Sequence, residues 1–112
     1  MQPTYIIHTD GGSRGNPGPA GIGVVIEGPG IEKKTYAEYI GERTNNEAEY
    51  EAVILALQKT KSLIGASKAA ESILEVYMDS ELVVHQLNGV YKLKDEKIKV
   101  FFLTIWNLRL DY

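Results

Sequence analysis

Three acidic residues stand where chemistry can be done. Asp10 closes an apolar run, Tyr5-Ile6-Ile7-His8-Thr9, and Asp79 closes another that begins at Ile73. Glu49 lies one turn inside the start of a helical stretch. A carboxylate at the core end of a strand is costly to bury unless a cation meets it. Three that converge repel one another and raise each other's pKa. A divalent cation resolves that conflict: Mg²⁺ takes hard oxygen ligands, keeps several waters and binds through a few carboxylates together with a substrate phosphate. Such a cluster suits phosphodiester hydrolysis with two metals about 3.5–4 Å apart.

Each acid also has a plain structural reading. A strand-terminal Asp is commonly a turn residue or helix cap, Glu49 fits the solvated face of an amphipathic helix, and Asp79-Ser80 fits an N-cap pair. The joint pattern of two strand ends and one helix start favours the chemistry.

The elements that must position these acids follow from periodicity. Residues 4–10 read as a strand, and 11–19 as a loop in which Pro17 and Pro19 oppose a regular ladder. Residues 21–26 read as a second strand, whose Gly21 and Gly23 suggest close approach by another backbone or a ligand. After the Gly28-Pro29-Gly30 turn, residues 34–40 alternate as a third strand, with Tyr36, Glu38 and Ile40 on one face and Thr35, Ala37 and Tyr39 on the other; Gly41 ends this meander. Thr44-Asn45-Asn46-Glu47 fits a capping box for a helix over 45–63, with Ala48, Ala52, Leu55, Ala56 and Leu63 on one side. Residues 65–70 read as a loop or frayed helix end. Residues 73–79 give a fourth strand, and Ser80 caps a short helix over 81–88 with Gly89 as its C′ residue. A last helix is expected over 95–109, with Ile98, Phe101, Phe102, Ile105, Trp106 and Leu108 as its apolar face. A right-handed crossover sets the fourth strand beside the first, which puts Asp10 next to Asp79 with Glu49 above them.

The chain has 112 residues and a net charge of −3, enough for one domain and too acidic for a typical nucleic-acid binder. No apolar run approaches the roughly 18 residues of a membrane span. No basic region followed by an apolar core marks a secretory signal. The absence of cysteine excludes thiolate metal sites and fits a cytoplasmic protein.

Thr9-Asp10-Gly11-Gly12-Ser13 through Gly15-Asn16-Pro17-Gly18-Pro19-Ala20-Gly21 resembles the first motif of the ribonuclease HI family. Thr44-Asn45-Asn46-Glu47-Ala48-Glu49-Tyr50 resembles the second and Met78-Asp79-Ser80 the third, in the same order and spacing. The segment from Gln86 to Lys92 is similar to the one that follows in bacterial and archaeal members. The resemblance implies an α/β, ribonuclease H-like fold: a mixed sheet in strand order 3-2-1-4, strands 1–3 antiparallel and strand 4 parallel to strand 1, with packed helices. It implies an endonuclease that cuts the RNA strand of RNA/DNA hybrids using Mg²⁺ or Mn²⁺. Asp10, Glu49 and Asp79 are then the catalytic, metal-binding acids, with the Gly11 carbonyl facing a metal. Asn16, Asn45 and Asn46 are expected to contact the minor groove and RNA strand, and Thr44 to help hold a DNA phosphate at the helix start. Glu81 stands where the family has a substrate-touching glutamine.

The family continues with a fifth strand and a last helix that carries a fourth catalytic Asp, preceded by a loop His. This sequence stops at Tyr112, so the resemblance implies a single domain over 1–112 that is incomplete at its C-terminus. Truncation, a natural short form, and completion by a second copy along the open edge of strand 4 are the three explanations. A rival function, a non-catalytic hybrid-binding module, follows from the missing fourth acid. His8 is expected to pack within the sheet and His85 at the surface or in packing. Lys92, Lys94, Lys97 and Lys99 form either a solvated face or a contact for the DNA backbone.

Overall fold

Alternation builds the sheet. In β1 (Thr4–Ser13) the side chains of Tyr5, Ile7 and Thr9 are buried on one face, while Ile6, His8 and Asp10 are exposed on the other. β2 (Gly18–Glu27) continues the pattern with Ala20, Ile22, Val24 and Ile26 buried. β3 (Lys34–Arg43) is antiparallel to β2, and β4 (Ile73–Met78) is parallel to β1, giving the order β3-β2-β1-β4. This is the expected topology. The computed structural model describes residues 2–89 and 96–112.

The strands around the site run further than periodicity suggested. The β1–β2 ladder continues past Asp10 to Ser13↔Ala20, leaving only residues 14–17 as the connection. Glycine tolerates extended backbone, and Pro19, lacking an N–H, still accepts from Arg14 N at 2.8 Å. Gly41 does not end the meander. A register shift at Ala20/Gly21 leaves Ile40 between the pairs Gly21↔Tyr39 and Ala20↔Gly41, and Gly41 adopts φ +82°, so β3 passes through the bulge to Arg43.

α1 (Asn45–Ile64) packs on the sheet through Ala48, Ala52, Leu55 and Ala56, as its spacing required. It has a second buried face, because Tyr50, Val53 and Leu57 pack against α3 (Glu81–Leu87) and α4 (Glu96–Arg109). The helix is therefore enclosed between sheet and α4, and only a narrow strip is left to solvent. Gly65 ends it at φ +84°, its N–H donating to Lys61 O at 2.8 Å. Residues 66–70, expected as loop or frayed end, form the one-turn α2 (Ala66–Ala70) with Ala69 buried.

α4 buries Ile98 and Ile105, with Phe101, Phe102 and Leu108 packed beside them. Trp106 departs from its expected core role: it is 44% exposed, its ring covered by the Arg109 guanidinium at 4.2 Å. Among the described residues nothing pairs with the outer side of β4, so the groove that Trp106 shares with Val76 and Met78 stays open. The expected helix residue Asp95 and the lysines 92 and 94 lie outside the described residues. Lys99 pairs with Glu96 at 3.1 Å, and Lys97 approaches Glu47 at 3.9 Å.

Candidate active site

Glu49 sits on α1 at the point where the helix touches β1. The approach is close: a Cβ on Gly11 would lie 2.4 Å from the Ala48 carbonyl carbon and 2.7 Å from Glu49 N. Only glycine permits it. The contact brings Gly11 N–H to Glu49 Oε1 at 3.3 Å. Glu49 is 8% exposed, and its Oε2 is buried with no hydrogen-bond partner in the structure. The solvated-face reading of Glu49 therefore fails, because the close approach of α1 to β1 at Gly11 covers it.

β1 and β4 pair in parallel through Thr9↔Met78, and the next residue on each chain is an acid. Asp10 and Asp79 are thus adjacent and exposed at the same sheet end, as the crossover argument required. Both act on Glu49. Burial pushes the Glu49 carboxyl above its ordinary range, the Gly11 N–H opposes this, and the charges of Asp10 and Asp79 push it further up. Asp79 does not serve as a cap; Ser80 Oγ does, accepting from Val83 N at 3.3 Å.

The second expected cluster also assembles. Thr44 closes the capping box: its Oγ1 accepts from Glu47 N at 3.1 Å, and Glu47 Oε1 accepts from Thr44 N at 2.8 Å. Asn16 Oδ1 accepts from Asn45 N at 2.9 Å, tying the β1–β2 connection to the start of α1. Asn45 Oδ1 accepts from Ser13 N at 2.9 Å and from Ser13 Oγ at 3.1 Å. Both amides are held through their oxygens, and among the described residues no hydrogen bond engages their NH₂ groups. Asn46 follows on the first turn and is half-buried. Sequence reasoning missed Ser13, whose backbone N–H holds Asn45 Oδ1 at 2.9 Å while its hydroxyl lies 2.5 Å from Gly15 O; a serine at a loop entry was the available signal.

His8 is not packed within the sheet. It lies exposed on the face away from α1, stacked on Tyr77 with ring centroids 5.3 Å apart. The pair lines a cleft of about 580 Å³ that also contains Asp10 and Asp79.

The donor set is all hard oxygen, and the unpartnered Glu49 Oε2 is the atom that a divalent cation would satisfy. The residues fit such an ion chemically. Among the described residues, no three acidic or histidine side chains stand close enough to enclose one. Asp10 and Asp79 line an open cleft, and their charges act on the buried Glu49.

Comparison with known proteins places these features in a wider group. The family model described as RNase H matches residues 2–107. Over 92 residues the chain is 47% identical to the bifunctional protein Rv2228c of Mycobacterium tuberculosis, covering 80% of this chain and 23% of that protein. It is 40% identical over 91 residues to ribonuclease HI of Halobacterium salinarum, covering 80% of this chain and 43% of that one. The chain thus spans less than half the length of either relative. The crystal structure of LC11-RNase H1 in complex with RNA/DNA hybrid superposes with a TM-score of 0.86 and 47% identity, over 96% of this chain and 77% of that one.

Proposed function

The chain belongs to the RNase H family, and from that premise we propose that it hydrolyses the RNA strand of RNA/DNA hybrids with Mg²⁺ or Mn²⁺. The observation that carries the proposal is Glu49, a buried carboxylate with one oxygen on Gly11 N–H and the other unpartnered, under the charge of Asp10 and Asp79. Asp10, Glu49 and Asp79, with the Gly11 carbonyl, are the groups that would hold the cation. The cation supplies activation of water and stabilisation of the leaving oxygen.

The chain's own residues do the remaining work. Gly11 fixes one oxygen of Glu49, which leaves the other turned to its task. Asn16 and Asn45, locked by their oxygens, offer NH₂ donors to the minor groove, where 2′-hydroxyls distinguish RNA from DNA. Thr44 keeps a hydroxyl proton to donate to a DNA phosphate at the start of α1, where the helix dipole favours an anion. Asn46, on the first turn of α1, joins Asn16 and Asn45 at the minor groove and RNA strand.

The second reading is a module that binds hybrid without cutting. The open spacing of the acids favours it. Incubating the protein with end-labelled hybrid and Mn²⁺ separates the two: RNA fragments support hydrolysis, and a retarded but intact hybrid supports binding alone. A cytoplasmic location, a single ribonuclease H-like domain over 1–112 and a homodimer formed along the outer side of β4 belong to the same proposal. The dimer is supported by β4 itself, every residue of which is exposed or half-exposed.

A further inference from the structure

A second cleft lies beside the acids and is not used by them. It has a volume of about 750 Å³ and is lined in part by Gly12, Arg14, Gly21, Glu38, Tyr39 and Asn45. Cross-strand pairing sets Gly12 beside Gly21 and Gly21 beside Tyr39, so the three form one row across β1, β2 and β3. Tyr39 is 74% exposed, an aromatic ring that the fold leaves in solvent. The glycines beside it are not demanded by packing. A Cβ on Gly21 would come no nearer than 3.5 Å to Glu38 O, and one on Gly12 no nearer than 4.0 Å to Asn45 Oδ1. A row without side chains, walled by an exposed ring, lets a ligand backbone settle onto the sheet.

The occupant follows from what adjoins the cleft. Asn45 opens onto it, and Asn45 belongs to the cluster assigned above to the minor groove. Arg14 and Glu38 carry opposite charges there, so net charge selects nothing and recognition falls to the ring and the shape of the floor. Strands are about 4.8 Å apart and residues rise about 3.4 Å, which puts Tyr39 roughly 12 Å from Asp10. At about 3.4 Å of duplex axis per nucleotide of one strand, this is three to four base steps along the duplex. Resting on the hybrid-hydrolase reading, we propose that Tyr39 is a further substrate contact and specificity residue: its ring packs against a sugar of the RNA strand three to four nucleotides from the cut.

The test is a titration of end-labelled RNA/DNA hybrid followed by fluorescence polarisation, in an Asp10→Asn background so that cleavage does not intervene. Removing the ring with Tyr39→Ala should weaken binding about tenfold, equivalent to about 1.4 kcal/mol. Tyr39→Phe, which keeps the ring, should bind as the Asp10→Asn parent does. If Tyr39→Ala fails to fold, Tyr39→Thr removes the ring while keeping strand propensity. Equal affinity of the ringless variant and the parent overturns this inference and leaves the hybrid reading standing. A Tyr39→Phe variant as weak as Tyr39→Ala overturns the role of the ring. A parent that binds no hybrid overturns the hybrid reading itself and this inference with it.

Discussion

Gly11 and Glu49 are 38 residues apart in sequence and joined by a hydrogen bond, Gly11 N–H donating to Glu49 Oε1 at 3.3 Å. The bond exists because β1 and α1 approach so closely that a methyl group would strike the Ala48 carbonyl at 2.4 Å. Gly11→Ala should therefore push α1 off the sheet and cost on the order of 1–3 kcal/mol. Chemical denaturation measures it; a midpoint equal to the parent's contradicts the close contact.

The pH dependence of Glu49 has a definite sign. Its folded-state pKa is raised above the ordinary value of 4.5, mainly by burial. The folded state then holds the proton more tightly than the unfolded state does. The stability it contributes is full below the unfolded pKa and is lost as pH rises through the folded one. Glu49→Gln should thus raise the melting temperature at pH 7 and have little effect near pH 4. A destabilised Glu49→Gln at pH 7 contradicts the burial argument.

Adding Mg²⁺ works on the same group from the other direction. A cation that binds only the folded chain should raise the melting temperature with its concentration, by about RT ln(1 + [Mg²⁺]/Kd). Asp10→Asn should shrink that increment. A melting temperature independent of Mg²⁺ and Mn²⁺ contradicts the assignment of these acids as cation ligands.

Much of this was legible in the sequence. Topology followed from the alternation in β1 to β3 and from the single crossover, and the capping box at Thr44 marked the start of α1 within a residue. The burial of Glu49 was not legible, because it depends on how closely β1 comes to α1 at Gly11, which helical spacing does not reveal. Nor was the second buried face of α1 legible, where Tyr50, Val53 and Leu57 pack with residues of α3 and α4, a contact set by tertiary packing. The extra length of β3 depended on a bulge at Ile40 and Gly41, which a period of two does not reveal. Trp106 fits an apolar stripe by spacing, and its exposure depends on what covers β4.

The capping box should carry measurable stability. Thr44→Ala removes the acceptor for Glu47 N and should cost about 0.5–2 kcal/mol. Thr44→Ser keeps the oxygen and should recover most of it. Urea denaturation of the three proteins settles the ranking, and a Thr44→Ala variant as stable as the parent contradicts it.

Among the described residues, nothing pairs with the outer side of β4 beside the apolar groove at Val76, Met78 and Trp106. Sedimentation equilibrium should show a dimer that forms with concentration, and the emission of Trp106 should shift to shorter wavelength as it does. A monomer at every concentration, with constant emission, contradicts the dimer.

The hybrid-hydrolase proposal rests first on Asp10, acting with Glu49 and Asp79. The direct measurement is cleavage of an RNA/DNA hybrid labelled on the RNA strand, with Mn²⁺, by the parent and by Asp10→Asn. The account predicts RNA fragments from the parent, and from Asp10→Asn a folded protein that binds the hybrid and leaves it intact. An Asp10→Asn protein that cuts as the parent does, or a parent that leaves the RNA strand whole, contradicts it.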